Sequence, residues 1–408
     1  MKKGWPIKRL GDLTDLVTKG TTPTSIGHSF VQDGINFVKV ESITTAGQFI
    51  EEKFAHITPE CHAVLGRSQL KAGDILFSIA GALGRTAFVT DEILPANTNQ
   101  ALAIVRLKRD AGLSPRFVLK ALETGVVLEQ IEKFKGGVAQ QNLSLTQVRD
   151  FRIAQPPLPE QQRIVGILDE AFEGLATAKA NAEKNLHNAR ALFESHLQSV
   201  FKQCAKGWKQ KTLEEIATTF GRGKSKHRPR NEPKLYGGKY PFIQTGDIRN
   251  ADHFITEYSQ TYSEAGLAQS KLWPKGTICI TIAANIAETA ILGFDACFPD
   301  SVIGVVANPK EAEVGFIEYL LQSFKARIQA LGKGSAQANI NIGTFENERF
   351  PFPPVAEQKQ IVAKLDSLSE ETQRLESLYQ QKLAALEALK KSLLHRAFSG
   401  QLTRDNGQ

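Results

Sequence analysis

The chain is written twice. Trp5-Pro-Ile-Lys-Arg-Leu-Gly-Asp-Leu returns as Trp208-Lys-Gln-Lys-Thr-Leu-Glu-Glu-Ile, and Gly73-Asp-Ile-Leu-Phe-Ser-Ile-Ala returns as Gly276-Thr-Ile-Cys-Ile-Thr-Ile-Ala, both at a spacing of 203. Further on the spacing is 197: Ala139-Gln-Gln-Asn matches Ala336-Gln-Ala-Asn, Glu160-Gln-Gln-Arg-Ile-Val matches Glu357-Gln-Lys-Gln-Ile-Val, and Phe201 matches Phe398. The second copy is therefore shorter by about six residues, all lost before Ala336. Solenoid repeats run roughly 20–50 residues, so a period this long marks a duplicated pair of domains rather than an array.

Each copy has the same grammar. Its first part is strand-rich: Ile75, Phe77 and Ile79 alternate, as do Ile278, Ile280 and Ile282, in the pattern of a half-buried strand. Gly34-Ile-Asn-Phe-Val-Lys-Val and Ala101-Leu-Ala-Ile-Val-Arg-Leu also read as strands. A helix follows, opened in the first copy by Ser114-Pro115 and running to about Phe134, with a counterpart from about Val314 to Leu331. Pro156-Pro-Leu-Pro-Glu and Pro351-Phe-Pro-Pro-Val then stop the preceding element, because proline lacks an amide donor.

A long helix is predicted after each stop. The apolar positions of the first are Ile164, Leu168, Ala171, Leu175, Ala178, Ala182, Leu186, Ala189 and Leu192. Those of the second are Ile361, Leu365, Leu368, Thr372, Leu375, Tyr379, Leu383, Leu386 and Leu389. Such near-heptad stripes are coiled-coil seams, and the polar remainder of each helix argues against burial in a bundle. The first helix leaves the first domain and delivers the chain to the second; the second helix leaves the second domain. If the stripes bury each other the helices run antiparallel, and matched copies imply a pseudo-two-fold axis. The expected domains are residues 1–155, the first helix 156–206, a second domain 207–352 and the second helix 353–408.

Charge and motifs narrow the chemistry. The formal net charge is +7 and the pI about 9.1, a balance that suits a polyanion such as nucleic acid but also fits a basic protein without one. The opening Met-Lys-Lys-Gly-Trp-Pro is too polar for a secretory signal, and no apolar run reaches the about 18 residues of a membrane span. The cysteines, at 61, 204, 279 and 297, form no CxxC pair and are expected reduced, in a cytoplasmic protein. Gly223-Lys-Ser resembles the tail of a P-loop, but position 218 is Thr where the loop needs glycine. Base-amino methylation wants an Asn- or Asp-Pro-Pro-aromatic loop, and Gln155-Pro-Pro-Leu and Phe352-Pro-Pro-Val do not fit. The histidines and cysteines show no metal-ligand spacing, and no nucleophile motif stands out.

Leu158-Pro-Glu-Gln-Gln-Arg-Ile-Val and Val355-Ala-Glu-Gln-Lys-Gln-Ile-Val resemble the starts of the two conserved helical regions in the DNA-specificity subunits of Type I restriction–modification systems. Trp5-Pro with Leu10-Gly-Asp-Leu is similar to the opening of that family's target-recognition domains, and Leu393-Leu-His-Arg-Ala-Phe-Ser-Gly-Gln-Leu to its usual ending. The resemblance implies two mixed α/β domains with partial β-barrels, each reading one half of a split double-stranded DNA target, with the helix pair as a ruler between them. It implies two methyltransferase subunits, which use S-adenosylmethionine, and motor–nuclease subunits, which use ATP and Mg, as partners. The specificity subunit does no chemistry and holds no cofactor. A different reading, a structural coiled-coil adaptor whose end domains bind protein, is separated from it by salt-dependent duplex binding.

Residues that differ between the copies are the better specificity candidates, since each copy should read a different half-site. Lys19, Thr21, Thr22 and Ser25 correspond to a basic loop holding Arg222, Lys224, Lys226, Arg228 and Arg230. Lys39, Glu41 and Ser42 correspond to Gln244, Thr245 and Asp247, and Arg85 to Glu288. Gln140, Asn142, Gln337 and Asn339 could pair with adenine, yet the same pattern stands in both copies, which favours a role in the fold or on phosphate.

Overall fold

The computed structural model describes residues 5–135, 142–203, 207–227, 229–283, 286–332, 343 and 347–402. It forms two compact units: residues 1–183 with 381–408, and residues 184–380.

In the first unit Ile7–Arg9 pairs antiparallel with Arg152–Ala154, stitching the start of the domain to the segment that leads into the long helix. Thr14–Lys19, Leu102–Leu107, Ile75–Ser78 and Thr86–Phe88 form a four-stranded antiparallel sheet in that order. Ile35–Val38 lies between Ala55–Ile57 and Ala96–Thr98 in a second, smaller sheet. The strand Ile75–Ser78 is buried on both faces, not half-buried as its alternation suggests. Ile75 and Phe77 join Leu10, Phe117 and Phe151 on one side, and Leu76 joins Val38, Ile43 and Ile93 on the other. Helices cover one face and the small sheet the other, so neither set of alternate side chains meets water.

The second unit repeats this plan. Lys209–Lys211 pairs with Phe350–Phe352. Ala217–Arg222, Val302–Ala307, Ile278–Thr281, Thr289–Leu292 and Phe254–Ile255 form a five-stranded sheet, and Gln260–Tyr262, Tyr236–Phe242, Ala296–Cys297 and Leu272–Trp273 a four-stranded one. Ile75 sits opposite Val105 and Ile278 opposite Val305, so the offset between copies has already fallen from 203 to 200 by that strand. Among the described residues no sheet closes on itself. The single helix expected from Ser114 to Phe134 is two, Pro115–Leu122 and Gly125–Lys135. The break falls at Thr124, whose hydroxyl donates to the Ala121 carbonyl at 2.7 Å just before a glycine, the residue that favours helix least after proline. The counterpart, Val314–Gly332, is continuous.

The long helices are Leu158–Gln203 and Val355–Phe398. Ile164, Leu168 and Leu365 are fully buried; Leu175, Leu186, Ile361, Leu368, Leu375 and Leu386 are half-buried. Leu192 and Leu389, read as the last members of each stripe, are exposed instead. After Ala189 the stripe steps by four, to Phe193 and Leu197, because two consecutive steps of three turn the side chain away from the seam. Within the first unit Lys179 pairs with Glu387 at 2.8 Å, and Lys390 lies 5.0 Å over the Phe172 ring. Moving back along one helix moves forward along the other, so they run antiparallel there. Within the second unit Arg190 pairs with Glu376 at 2.9 Å while Leu197 and Phe201 share a core with Leu365, which gives the same sense. Each unit thus holds the start of one long helix and the end of the other. Phe398 packs on Phe117 in the first (ring centroids 5.0 Å apart), and Phe201 on Phe316 in the second (5.4 Å).

One buried glutamine fastens each helix start. The Gln161 side-chain oxygen accepts the Ser114 amide at 2.8 Å, and its nitrogen donates to the carbonyls of Gly112 and Pro156, both at 2.8 Å. Gln358 accepts from the Glu313 amide at 2.9 Å and donates to Glu311 and Pro353 at 3.2 and 2.8 Å. Both side chains are fully buried. Replacing Gln161 or Gln358 by Leu keeps the bulk but strands backbone groups without partners, a cost of about 1–3 kcal/mol each when buried. Either variant should lose roughly 2–4 kcal/mol in denaturant unfolding, whereas Gln162→Leu, exposed one residue on, should stay within about 0.5 kcal/mol. A neutral Gln358→Leu would show that the clasp does not hold the junction.

Candidate nucleic-acid interface

The loops that leave the first strand of each large sheet pivot on matched glycines. Gly20 and Gly223 sit 203 apart and donate their amides to Asn99 (3.1 Å) and Val302 (2.9 Å). A Cβ at Gly20 would lie 1.7 Å from the Thr98 carbonyl oxygen, and at Gly223 2.3 and 2.4 Å from those of Phe298 and Pro299. Only glycine allows the strand end to approach the neighbouring turn this closely.

Beyond the pivot the loops differ. In the first unit Thr22 donates its hydroxyl to the Gln100 side chain at 2.5 Å and Ser25 returns a bond to the Thr22 carbonyl at 2.7 Å. Lys19 is exposed and Thr21 half-exposed. In the second unit Arg222 donates to the Asp300 carbonyl at 2.7 Å, and Arg230 grips the Asp300 carboxylate through two bonds of 2.8 and 2.9 Å. Exposed pairs like this contribute at most about 1 kcal/mol; here they set the path of the loop. Lys224 and Lys226 are exposed. His227 and Lys234 both pair with Glu232, holding its carboxyl below the usual range, Lys234 first and His227 second.

The second candidate segment is a tight turn in each copy. The Lys39 amide donates to the Ser42 hydroxyl at 3.3 Å and the Gln244 amide to the Asp247 carboxylate at 2.8 Å. Ser42 is fully buried and its hydroxyl donates on to the Lys53 carbonyl at 2.9 Å, so it shapes the turn and does not reach solvent. Lys39 lies 4.6 Å over the Phe30 ring. Gln244 donates to Gln260 at 2.8 Å, and Thr245, beside it, is half-exposed. Arg85 is spent on the frame: its guanidinium donates to the carbonyls of Val40 (3.1 Å) and Ile43 (2.7 Å). Its counterpart Glu288 pairs instead with Lys325 of the helix Val314–Gly332 at 2.7 Å, so the matched positions tie different elements. Asn142 is exposed and bridges to Ala80 at the end of the central strand. Gln140, Arg228, Gln337 and Asn339 lie outside the described residues.

The structure adds residues that no motif revealed. Lys271 holds its ammonium 3.7 Å over the fully buried indole of Trp273. Burial, and then the charge of Lys224, push the Lys271 ammonium below the usual lysine range. The available signal was a lysine two residues before a tryptophan, which places both on one face of an extended segment. The second unit also buries an acid: Glu318, fully buried, accepts from His253 at 2.7 Å, and Tyr319, stacked on that imidazole, donates to Asp366 at 2.8 Å. Burial alone would lower the His253 pKa; Glu318, with Asp366 and Asp252, outweighs it and raises it. Cys61, Cys279 and Cys297 are buried free thiols; Cys204 lies outside the described residues. Among the described residues no cluster of His, Cys, Asp and Glu could hold a metal, and no helix is long and apolar enough to cross a membrane.

The architecture is that of a duplicated protein: two like units, one frame, different loops. The family described as the Type I restriction modification DNA specificity domain matches residues 2–185 and again 205–387, and the chain belongs to that family. It is 22% identical over 419 residues to the putative type I restriction enzyme MjaX specificity subunit of Methanocaldococcus jannaschii, covering 98% of this chain and 93% of that one. It is 26% identical over 195 residues to the EcoKI specificity subunit of Escherichia coli K12, covering 46% of this chain and 41% of that one. Among solved structures, a chain from a study of assembly and conformational transition of the type I restriction–modification system superposes with a TM-score of 0.80 at 21% identity, over 98% of this chain and 99% of that one. The HsdS subunit of Thermoanaerobacter tengcongensis gives 0.59 at 19%, over 98% and 97%.

The pivot can be tested within one strand. Gly221 has open space where a Cβ would stand, whereas Gly223 does not. Gly223→Ala should cost roughly 1–3 kcal/mol, the usual penalty of overpacking, and Gly221→Ala under about 0.5 kcal/mol, read by thermal melts. Equal melts for the two variants would show that the loop does not hinge on close approach.

Proposed function

We propose that this chain reads a two-part double-stranded DNA target, one half per unit, and serves as the scaffold for two methyltransferase subunits and for motor–nuclease subunits. It does no chemistry itself, and S-adenosylmethionine, ATP and Mg are used by those partners, in the cytoplasm. The observation that carries the reading is the pairing of one frame with two unlike loop sets. The pivots Gly20 and Gly223 and the clasps Gln161 and Gln358 repeat, whereas Thr21-Thr22 is replaced by Lys224-Ser225 and Arg85 by Glu288. A protein that bound one repeated ligand would have no reason to keep the frame and change the loops. Family membership and the named relatives, which are specificity subunits of type I restriction enzymes, point the same way.

Lys19, Thr21, Thr22, Ser25, Lys39, Asn142, Arg222, Lys224, Lys226, Arg230, Gln244 and Thr245 are the exposed or half-exposed candidates for base or phosphate contact, while Ser42 and Arg85 shape the turn at Lys39. Phosphate contacts set register and affinity, and base-edge contacts carry sequence. Exchange of residues 1–155 for the homologous segment of a relative, followed by mapping of methylated bases in a host that carries the methyltransferase partner, tests the proposal. One half of the methylated target should change and the other half and the spacing should persist. A swap that alters both halves, or leaves both intact, contradicts one reader per unit; a protein adaptor would leave the methylated target untouched.

A further inference from the structure

We propose that Lys224 and Lys271 form a phosphate subsite of the second unit, seated on the Trp273 indole, that grips a DNA backbone oxyanion and has no equivalent in the first unit. This rests on the DNA-reading function proposed above and locates part of it.

The seat is built. Trp273 is fully buried and stacks on Phe298 with ring centroids 5.0 Å apart. Its Nε1–H is buried without a partner. The Ser270 hydroxyl donates to the Lys224 carbonyl at 2.8 Å, tying the loop beyond the Gly223 pivot to the segment that carries Lys271. Nearby acids are engaged: Asp300 by Arg230, Glu232 by His227 and Lys234, Glu264 by Lys239, and Asp295, next to the strand partner of Trp273, accepts the Lys275 amide at 2.7 Å. Neither Lys224 nor Lys271 pairs with a carboxylate among the described residues. Lys271 holds its ammonium over the low-dielectric indole, and the Ser270 bond to the Lys224 carbonyl brings the Lys224 residue to the same segment; burial first, and then the Lys224 charge, disfavour the Lys271 ammonium. An anion between them removes the repulsion. A phosphodiester oxygen fits because a lysine ammonium recognises phosphate as a point charge, with no demand for the planar geometry arginine imposes.

The first unit lacks this device. Leu272 pairs with Cys297 in the second unit as Gln69 bridges to Asn97 in the first. That register sets Lys271 against Ser68, which is buried, and Trp273 against Leu70. The position of Lys224 is Thr21. The second unit therefore contributes more to the salt-dependent part of binding.

The test uses the full-length chain with its methyltransferase subunits and a duplex of about 40 base pairs carrying the target mapped in the host. Affinity is measured against KCl concentration. Each phosphate contact adds about 0.9 to the slope of log affinity on log salt. Lys224→Gln with Lys271→Gln should reduce the slope by about 0.9, the share of the one phosphate they grip, and leave the methylated sequence unchanged; Lys224→Arg with Lys271→Arg should restore it. Lys224→Gln alone, on an exposed loop position, should remove about half, and covers the case in which the double variant folds poorly. A wild-type slope in well-folded Gln variants overturns the subsite while leaving the DNA reading intact. Loss of a protein subunit on co-purification, with an unchanged slope, assigns the lysines to a protein carboxylate and also overturns it. Wild-type protein that binds duplex without salt dependence overturns the subsite and the DNA reading together.

Discussion

Everything downstream of the two glutamines depends on them. A proline pair ends the strand before each long helix, and the helix must start at a fixed angle to the domain it leaves. Gln161 and Gln358 fix that start by satisfying one amide and two carbonyls that would otherwise be buried without partners. A side chain of both donor and acceptor character is required, since the groups to be satisfied are of both kinds. With the start fixed, the apolar stripe takes its direction, and Leu168 and Leu365 enter the cores of their units. The end of the other long helix completes each core, through Phe398 in one and Phe201 in the other. Each core thus draws on chain segments far apart in sequence.

On this frame the loops are free to diverge. Pivot glycines hold the loop bases against backbone carbonyls, so loop content changes without disturbing the sheet. The first unit pins its loop with neutral hydroxyl and amide bonds, the second with arginine on aspartate. The matched positions Arg85 and Glu288 show the same freedom, tying turn carbonyls in one unit and the Lys325 ammonium of a helix in the other. A frame conserved within the chain and loops that vary within it are what a reader of two unlike half-sites needs.

Much of this was legible in the residues. The duplication exposed the number of units, and the Pro-Glu-Gln starts and the stripes through Leu168 and Leu365 exposed the helices, because periodicity and proline are local signals. Four features were not. The alternation of Ile75 and Phe77 looks half-buried because a strand covered on both faces by different layers still alternates; Leu76 is simply apolar too. The break at Thr124 depends on a side chain returning to its own backbone, inside a run that otherwise looks helical. Leu192 and Leu389 leave the seam because the stripe changes step where the helix meets a domain core. Of the candidate contacts, Ser42 and Arg85 are bonded into the frame, and the placement of Lys271 over Trp273 had no motif to announce it. Which polar side chains stay free is a tertiary fact, decided by carbonyls and rings distant in the chain.

The central claim is that two unlike readers act together on one duplex. Binding of the chain with its methyltransferase subunits to three duplexes tests it: the intact target, and the target with either half scrambled. Each mismatched pair costs about 1–3 kcal/mol, so scrambling either half alone should weaken binding at least about a hundredfold, at fixed salt. If scrambling one half leaves affinity unchanged, one unit does not read DNA and the account is contradicted.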